Sequence, residues 1–187
     1  MLGAAHRRRS GRGSLLWVAV IAAVGLLLAG LALLPLGRAE PVGRQGTLVG
    51  QPAPSVEAAA LDGSRHSLAD GHGRITWVNF WATSCEPCRT EMPAMQRLAD
   101  AYGDRLLILG VDWGESDASV RDFVGRYALR YPILMDPTLA NFYRWSSLDG
   151  LPRHYFVSGE GIVVREVIGP LAPAQMATIL EELIGPA

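Results

Sequence analysis

Residues 75–93 read ITWVNFWATSCEPCRTEMP, and the change of character inside that stretch decides the fold. Its first seven residues carry no charge and, apart from Asn79, are β-branched or aromatic. A short run of that kind, bounded by Gly71-His72-Gly73 and by small polar residues, predicts a strand buried on both faces. From Glu86 to Tyr102 the spacing changes. Met92, Met95, Leu98, Ala99 and Tyr102 recur at helical intervals, Pro87 suits a first turn, Gly103 supplies the stop, and Pro93 should kink the helix between them. Cys85 and Cys88, the only cysteines of the chain, stand where strand gives way to helix.

That placement gives the pair a chemistry. A two-residue spacer lets two thiols close a small disulfide ring. The helix start offers unpaired N–H groups and the positive end of the helix dipole to the first sulfur. Cys85 is then the exposed nucleophile, and Cys88, one turn on, faces inward as the resolving thiol that releases a mixed disulfide. A structural disulfide and a metal site are the competing readings. A bridge closing so short a loop adds little stability by chain entropy. Only His66, His72 and His154 could complete a metal site, and they show no recognisable ligand spacing.

On the upstream side, SVEAAALDGSRHSL (residues 55–68) places Asp62-Gly63 between two short strand-like segments and predicts a hairpin appended to the main sheet. Downstream, LLILGVDW (106–113) is strand-like, SDASVRDFVGRYA (116–128) helix-like, YPILMD (131–136) a short strand and PTLANFYRW (137–145) a short helix. After the turn-rich SSLDGLP (146–152), RHYFVS (153–158) and IVVREVI (162–168) read as an antiparallel hairpin around Gly159-Glu160-Gly161. PAQMATILEELI (173–184) closes the chain as an amphipathic helix. Alternation followed by a hairpin and a helix implies an α/β domain, a mixed central sheet flanked by helices.

Charge divides the chain. Seventeen basic and 18 acidic side chains leave a net charge of −1 over 187 residues. Yet residues 1–38 hold five arginines and no acid, so the total conceals a +5 segment and a −6 remainder. Residues 15–36 are 22 uncharged residues, enough at about 1.5 Å per residue to cross roughly 30 Å of hydrocarbon. Arg7, Arg8, Arg9 and Arg12 precede this span and orient it with the start in the cytoplasm and the body outside. A cleaved signal peptide, cut after Ala39, is the alternative and exports the body equally. The organisation expected is a basic tail (1–14), a transmembrane anchor (15–36), a Gly- and Pro-rich linker (37–48) and one domain (49–187). Every basic residue is arginine, which excludes lysine Schiff-base chemistry and a Walker A loop. The balanced charge gives no reason to expect nucleic acid as a partner. With no flavin or nucleotide signature, no cofactor is expected beyond the dithiol itself, and no metal.

Residues 78–93, VNFWATSCEPCRTEMP, resemble the active-site segment of the membrane-tethered, extracytoplasmic thioredoxin-like proteins of the TlpA, ResA and CcmG group. The resemblance runs from about Gly50 to the end. It includes GQPAPSVEAAALDGSRHSL (50–68), GVDWGES (110–116), which looks like the start of this group's central insertion, and GLPRHYFVSGEG (150–161). It implies a thioredoxin-like fold with an N-terminal β-hairpin extension and a central αβ insertion. It also implies thiol-disulfide exchange outside the cytoplasm, often the reduction of apocytochrome c before haem attachment. On it, Cys85 and Cys88 match the attacking and resolving thiols, Trp81 the aromatic residue before the motif, and Pro152 the cis-proline that offers the Leu151 backbone to a substrate strand. Trp81, Glu86, Pro87, Leu151 and Pro152 are thus the expected substrate contacts; a trans loop proline is the alternative for Pro152.

Glu91 matches an acid kept near the thiols. It either accepts a proton from Cys88 or holds substrate, or it only stabilises the first turn of the helix as an exposed acid. Asn79 stands where cytoplasmic thioredoxins have an aspartate, and it cannot titrate, so a proton relay must use Glu91 or water. His154 reads as a solvated strand histidine, and Trp113, Tyr143 and Trp145 as packing residues. Glu86 opposes a thiolate on Cys85 and Arg89 favours it; an acid inside the motif, in place of the histidine of strong oxidants, points to a reductase. Exported proteins would be its substrates and a membrane conduit of the DsbD or CcdA kind its electron donor. Two rivals fit less well. A peroxiredoxin-type peroxidase carries Thr or Ser where this chain has Ala82, and thioredoxin-like copper carriers typically space their cysteines one residue wider and add a histidine.

Overall fold

A computed structural model describes residues 48–147 and 149–187, together with Trp17 and residues 20–24. The chain divides into two units, Met1–Glu40 and Pro41–Ala187. In the first, Trp17 and residues 20–24 are helical and exposed; the rest of the expected 15–36 span, the basic tail and the linker as far as residue 47 lie outside the described residues. Among the described residues, no helix is long and apolar enough to cross a membrane.

The second unit opens with the hairpin that Asp62-Gly63 predicts. Strands β1 (Glu57–Ala59) and β2 (Arg65–Ser67) pair antiparallel with Ala58 opposite His66. Gly63 takes φ +86° in the turn, and the Asp62 carboxylate accepts the Ser64 N–H at 2.9 Å. Leu48, the last residue of the expected linker, is already buried, and its N–H donates to Glu166 at 3.0 Å.

The apolar run becomes β3 (Ile75–Trp81), followed by α1 (Glu86–Tyr102), β4 (Leu106–Asp112), α2 (Asp117–Tyr127), β5 (Ile133–Leu134), α3 (Ala140–Trp145), β6 (Arg153–Val157), β7 (Val163–Ile168) and α4 (Pro173–Ile184). The five-stranded sheet has the order β5-β4-β3-β6-β7. β3 runs parallel to β4 and antiparallel to β6. It has no free edge and is covered on both faces, which is why its sequence is apolar throughout and does not alternate.

Each face has its own core. Trp77 and Trp81 look toward α1, α2 and α4, where Met92, Met95, Phe123, Met176 and Leu180 pack around them. Val78 and Phe80 look toward α3 and the hairpin, meeting Phe142, Trp145 and Tyr155. Trp77 lies 4.8 Å from Phe156 and Trp81 4.9 Å from Phe123, ring centre to ring centre. Full burial of such rings is worth roughly 1.5–3 kcal/mol each, and on both sides of β3 it fixes the strand from which the cysteine loop departs.

Helix α1 continues through Pro93 and ends at Gly103, whose φ of +53° suits a residue without Cβ. Two downstream elements are shorter than their sequence pattern. β5 keeps only Ile133 and Leu134 of the expected 131–136, because Pro132 has no N–H to donate to a ladder. α3 starts at Ala140 and not at Pro137, because the Asp136 carboxylate turns the chain back by accepting the Phe142 N–H at 2.9 Å.

Gly110, in the middle of β4, lies under the tryptophan that precedes the motif. A Cβ there would stand 2.9 Å from Ile133 Cδ1, 3.1 Å from Tyr131 Cε2 and 3.3 Å from Trp81 Nε1. Gly110→Ala should therefore destabilise the domain by about 1–3 kcal/mol in urea unfolding. Gly125→Ala, on α2 with nothing within 4 Å of its new Cβ, should be neutral or gain up to about 1 kcal/mol. Equal stability of the two variants would contradict this packing.

Candidate active site

Cys85 and Cys88 are joined in a disulfide, with their Cα atoms 5.3 Å apart. Cys85 is the N-cap of α1. Its Sγ accepts the Cys88 N–H at 3.3 Å, and its carbonyl accepts the Arg89 N–H at 3.1 Å. The first sulfur thus sits at the positive end of a 17-residue helix, where a thiolate is stabilised. Cys85 is half-buried and Cys88 fully buried, so an incoming sulfur meets Cys85 first. Glu86 and Arg89, which the sequence sets against each other, pair at 3.2 Å on the helix surface. Their opposite fields at Cys85 largely cancel, which leaves the helix terminus as the main influence on the sulfur.

The antiparallel run of β6 brings a second segment to this end of β3. Phe80 faces Arg153 across the ladder, so residues 149–152 arrive beside the cysteine loop. The Leu151–Pro152 peptide bond is cis. Arg153, only 3% exposed, donates from Nε to the Gly150 carbonyl at 3.0 Å and from Nη2 to that of Asp149 at 3.4 Å. Its guanidinium also lies 5.9 Å from the Phe142 ring centre. A buried charge satisfied by loop carbonyls pins the loop to the sheet, since releasing them would strand the charge.

A third segment comes from β4. Asp112 lies opposite Trp81, and after it Glu115 reaches back to the cysteine loop. One Glu115 oxygen accepts the Thr83 N–H and the other the Thr83 hydroxyl, the latter at 2.7 Å. The Glu115 N–H in turn donates to Asp112 Oδ2 at 2.8 Å. Asp112 is 1% exposed. Burial, helped by the Glu115 carboxylate, pushes its carboxyl up to about 7. Beside Thr83 and Arg89 lies a polar hollow of about 250 Å³, with Phe123 and Arg126 on its far side.

Beneath the disulfide, Glu91 and His154 meet. Contrary to the solvated-histidine reading, His154 is wholly buried, and Glu91 is 4% exposed, so the exposed-acid alternative for Glu91 falls as well. The imidazole Nε2 stands 3.3 Å from Glu91 Oε2, out of line for a hydrogen bond. Its Nδ1 faces Trp77 Nε1 at 3.3 Å and Asn79 Nδ2 at 3.2 Å. Glu91 Oε1 accepts the Leu171 N–H.

The fold therefore gathers Cys85, Glu86, Pro87, Cys88, Leu151 and Pro152 around one end of β3, with Glu91 beneath. Trp81, expected among the substrate contacts, is corrected: it is fully buried and packs on Phe123, so it supports the loop from below. Pro152 is also buried, leaving Gly150 and half-buried Leu151 facing outward. Glu115, Asp112 and Arg153 escaped the sequence reading. For the first two, GVDWGES carried a signal, two acids at the end of a strand that neighbours the motif. Among the described residues, no group of three or more His, Cys, Asp or Glu side chains is gathered as a metal site would need.

Comparison with known proteins agrees with this geometry. A family model described as the AhpC/TSA family matches residues 49–166. The thioredoxin-like protein YneN of Bacillus subtilis is 35% identical over 140 residues, covering 73% of this chain and 81% of that protein. The thiol-disulfide oxidoreductase ResA of Bacillus anthracis is 30% identical over 136 residues, covering 72% of this chain and 78% of ResA. Among solved structures, a thiol:disulfide interchange protein of the thioredoxin family from Chlorobium tepidum TLS superposes with a TM-score of 0.65 at 25% identity, covering 76% of this chain and 100% of that one.

The Asp112 carboxyl gives this region a pH signature. Its folded value of about 7 lies above the roughly 3.9 of an unfolded chain. Between about pH 4 and about pH 7 the folded protein thus holds a proton that the unfolded chain releases, and stability falls as pH rises through that window. Asp112→Asn removes the titration and keeps an oxygen for the Glu115 N–H. In urea unfolding the variant should gain on the parent as pH climbs from about 4 to about 7. A stability difference that stays flat across that range would refute the assignment.

Proposed function

The chain belongs to the AhpC/TSA family of thioredoxin-like proteins and is a thiol-disulfide oxidoreductase of the ResA type, and from that premise we propose that it works as a membrane-tethered reductase of disulfides in exported proteins. The observation that carries this reading is Cys85 Sγ, capping α1 and half-open to solvent while its partner is buried. In the reduced enzyme, the Cys85 thiolate attacks one sulfur of a client disulfide. A Cys85–client bond forms, the client's own S–S bond breaks, and the released client thiolate takes up a proton. Cys88 then gives up its proton, attacks Cys85 and expels the second client sulfur, which is protonated in turn. Two electrons pass to the client, and the enzyme is left with the Cys85–Cys88 disulfide, the state that the structure holds. Gly150 and Leu151, held by Arg153, offer backbone to the client during exchange, with Glu86 and Pro87 at the rim.

Glu91 is the group placed to receive the Cys88 proton. It lies one helical turn beyond that thiol on the same face of α1, so the two side chains are neighbours. No cofactor takes part, since the electrons reside in the dithiol. They are restored by dithiol exchange from a membrane conduit of the DsbD or CcdA kind. Residues 15–36 are the anchor, 1–14 the cytoplasmic tail, 37–48 the tether and 49–187 the catalytic domain outside the cytoplasm, where apocytochrome c is one client of suitable chemistry. Glu86 supports the reductive direction: its pairing with Arg89 leaves no net positive side chain beside Cys85 to stabilise the thiolate beyond the helix end.

Cys88→Ser in the full chain should accumulate clients as mixed disulfides on Cys85, released by dithiothreitol and absent from a Cys85→Ser, Cys88→Ser double variant. Recovery of no Cys85-linked protein would remove the exchange mechanism. Cys85→Ser should lower insulin reduction to the uncatalysed background. Redox titration should place the couple nearer the roughly −270 mV of thioredoxin than the roughly −120 mV of DsbA; a value at the latter end would make the enzyme an oxidant.

A further inference from the structure

Cys88 is buried and must lose a proton before it can resolve the mixed disulfide, and Glu91, one turn along α1, with His154 beside it, is placed to manage that proton. Resting on the reductase reading above, we propose that His154 is a positioning residue that holds the Glu91 carboxylate ready to accept the Cys88 proton.

The indole N–H of Trp77 can only donate, and so can the amide nitrogen of Asn79. Both point at His154 Nδ1. That nitrogen is therefore the acceptor, and the proton of the neutral ring is on Nε2. Nε2 is the atom 3.3 Å from Glu91 Oε2. The other carboxylate oxygen is taken by the Leu171 N–H. Each Glu91 oxygen thus has an N–H beside it, in a residue only 4% exposed, where an unsupported charge would be expensive. The imidazole N–H and Oε2 are out of line in the disulfide form, so Oε2 keeps acceptor capacity for a proton from Cys88. During resolution that proton moves from Cys88 Sγ to Glu91, Cys88 bonds to Cys85, and the proton leaves with the departing client thiolate. None is consumed.

No other ionisable group facing the pair can take this part. Tyr131 approaches from the segment before β5, but burial and the Glu91 charge push its phenol far up, so it stays protonated. Asp112 shares this face of the sheet, with one oxygen bonded by the Glu115 N–H and the other unpartnered, but it stands opposite Trp81 on β4, on the far side of β3 from His154. On β7, Arg165 is paired with Glu182 at 2.7 Å, and Val167 is the residue opposite His154. Arg153 and Glu166, adjacent in the ladders, turn to the opposite face, toward Phe142 and Leu48. β3 supplies only Trp77 and Asn79, neither of which titrates.

The test compares two substitutions in the full chain, solubilised in detergent. Glutamine at 154 has an acceptor and a donor in one side chain, as the neutral imidazole does; leucine has neither. The rate of insulin reduction is followed from about pH 5 to about pH 9. His154→Leu should shift the rising limb of the profile to higher pH by about one unit or more, which on that limb is a loss of roughly tenfold. His154→Gln should keep the limb within a few tenths of a unit of the parent. In Glu91→Gln, adding His154→Leu should cause no further shift, because the group it positions is gone.

A His154→Leu profile that overlays the parent overturns the proposal, as does a shift of equal size in the Glu91→Gln background. Should His154→Leu fail to fold, nitrogen NMR of the parent decides, with His154 identified by its loss in His154→Gln. The proposal requires a neutral ring protonated on Nε2 whose shift responds to Glu91→Gln. Protonation on Nδ1, or indifference to Glu91→Gln, rules it out. The reductase reading stands or falls separately, on whether the parent reduces insulin at all and needs Cys85 to do so.

Discussion

Seven residues of β3 pair with a parallel strand on one edge and five of them with an antiparallel strand on the other, and each group of the site owes its position to that mixed pairing. A parallel neighbour ends where β3 ends, so β4 delivers Asp112 and Glu115 to the level of the cysteine loop. An antiparallel neighbour begins there, so β6 delivers the 149–152 loop to the same place from the other side. The helix that starts at Cys85 closes the third side. A sheet of one sense alone would have brought two of these segments together and sent the other to the opposite end.

The same constraint separates support from chemistry. Residues of β3 alternate between two apolar cores, so its side chains are buried on both faces. Trp81 shows this plainly: adjacency to the motif suggested contact with substrate, but the alternation turns it inward onto Phe123. The two thiols stand instead just beyond the strand end, and Glu91 and His154 are brought within 3.3 Å of each other by α1 and β6. Glu115 is the complementary case. It holds the Thr83 backbone and side chain at once, and so steadies the cysteine loop two residues before Cys85.

Much of this was legible in the sequence. The β-branched and aromatic run, the proline after the first cysteine and the change to helical spacing set β3, α1 and the sulfur at the helix start, because each is a local effect of a few neighbouring residues. The Asp-Gly turn located the hairpin for the same reason. What stayed hidden depends on register. Glu91 and His154 are 63 positions apart, and their meeting requires that Asn79 pair with His154 and not with its neighbour. A slip of one residue would have turned the histidine to the other face. His154 taken alone therefore read as a strand histidine in water. The short β5 and the late start of α3 were likewise set by a missing N–H at Pro132 and a side-chain bond from Asp136 that periodicity does not encode.

Arg153 carries a consequence of its own. A guanidinium keeps its charge at every pH a folded protein meets, so its bonds to the Gly150 and Asp149 carbonyls are indifferent to acidity. The opposite wall, Thr83 with Glu115 and Asp112, contains a carboxyl that changes its proton content near neutrality. The disulfide therefore sits between one jaw that titrates and one that does not. Protonation of Asp112 changes the acceptor under the Glu115 N–H, and Glu115 in turn holds Thr83 of the cysteine loop, whereas the bonds that fix residues 149–152 carry no such proton.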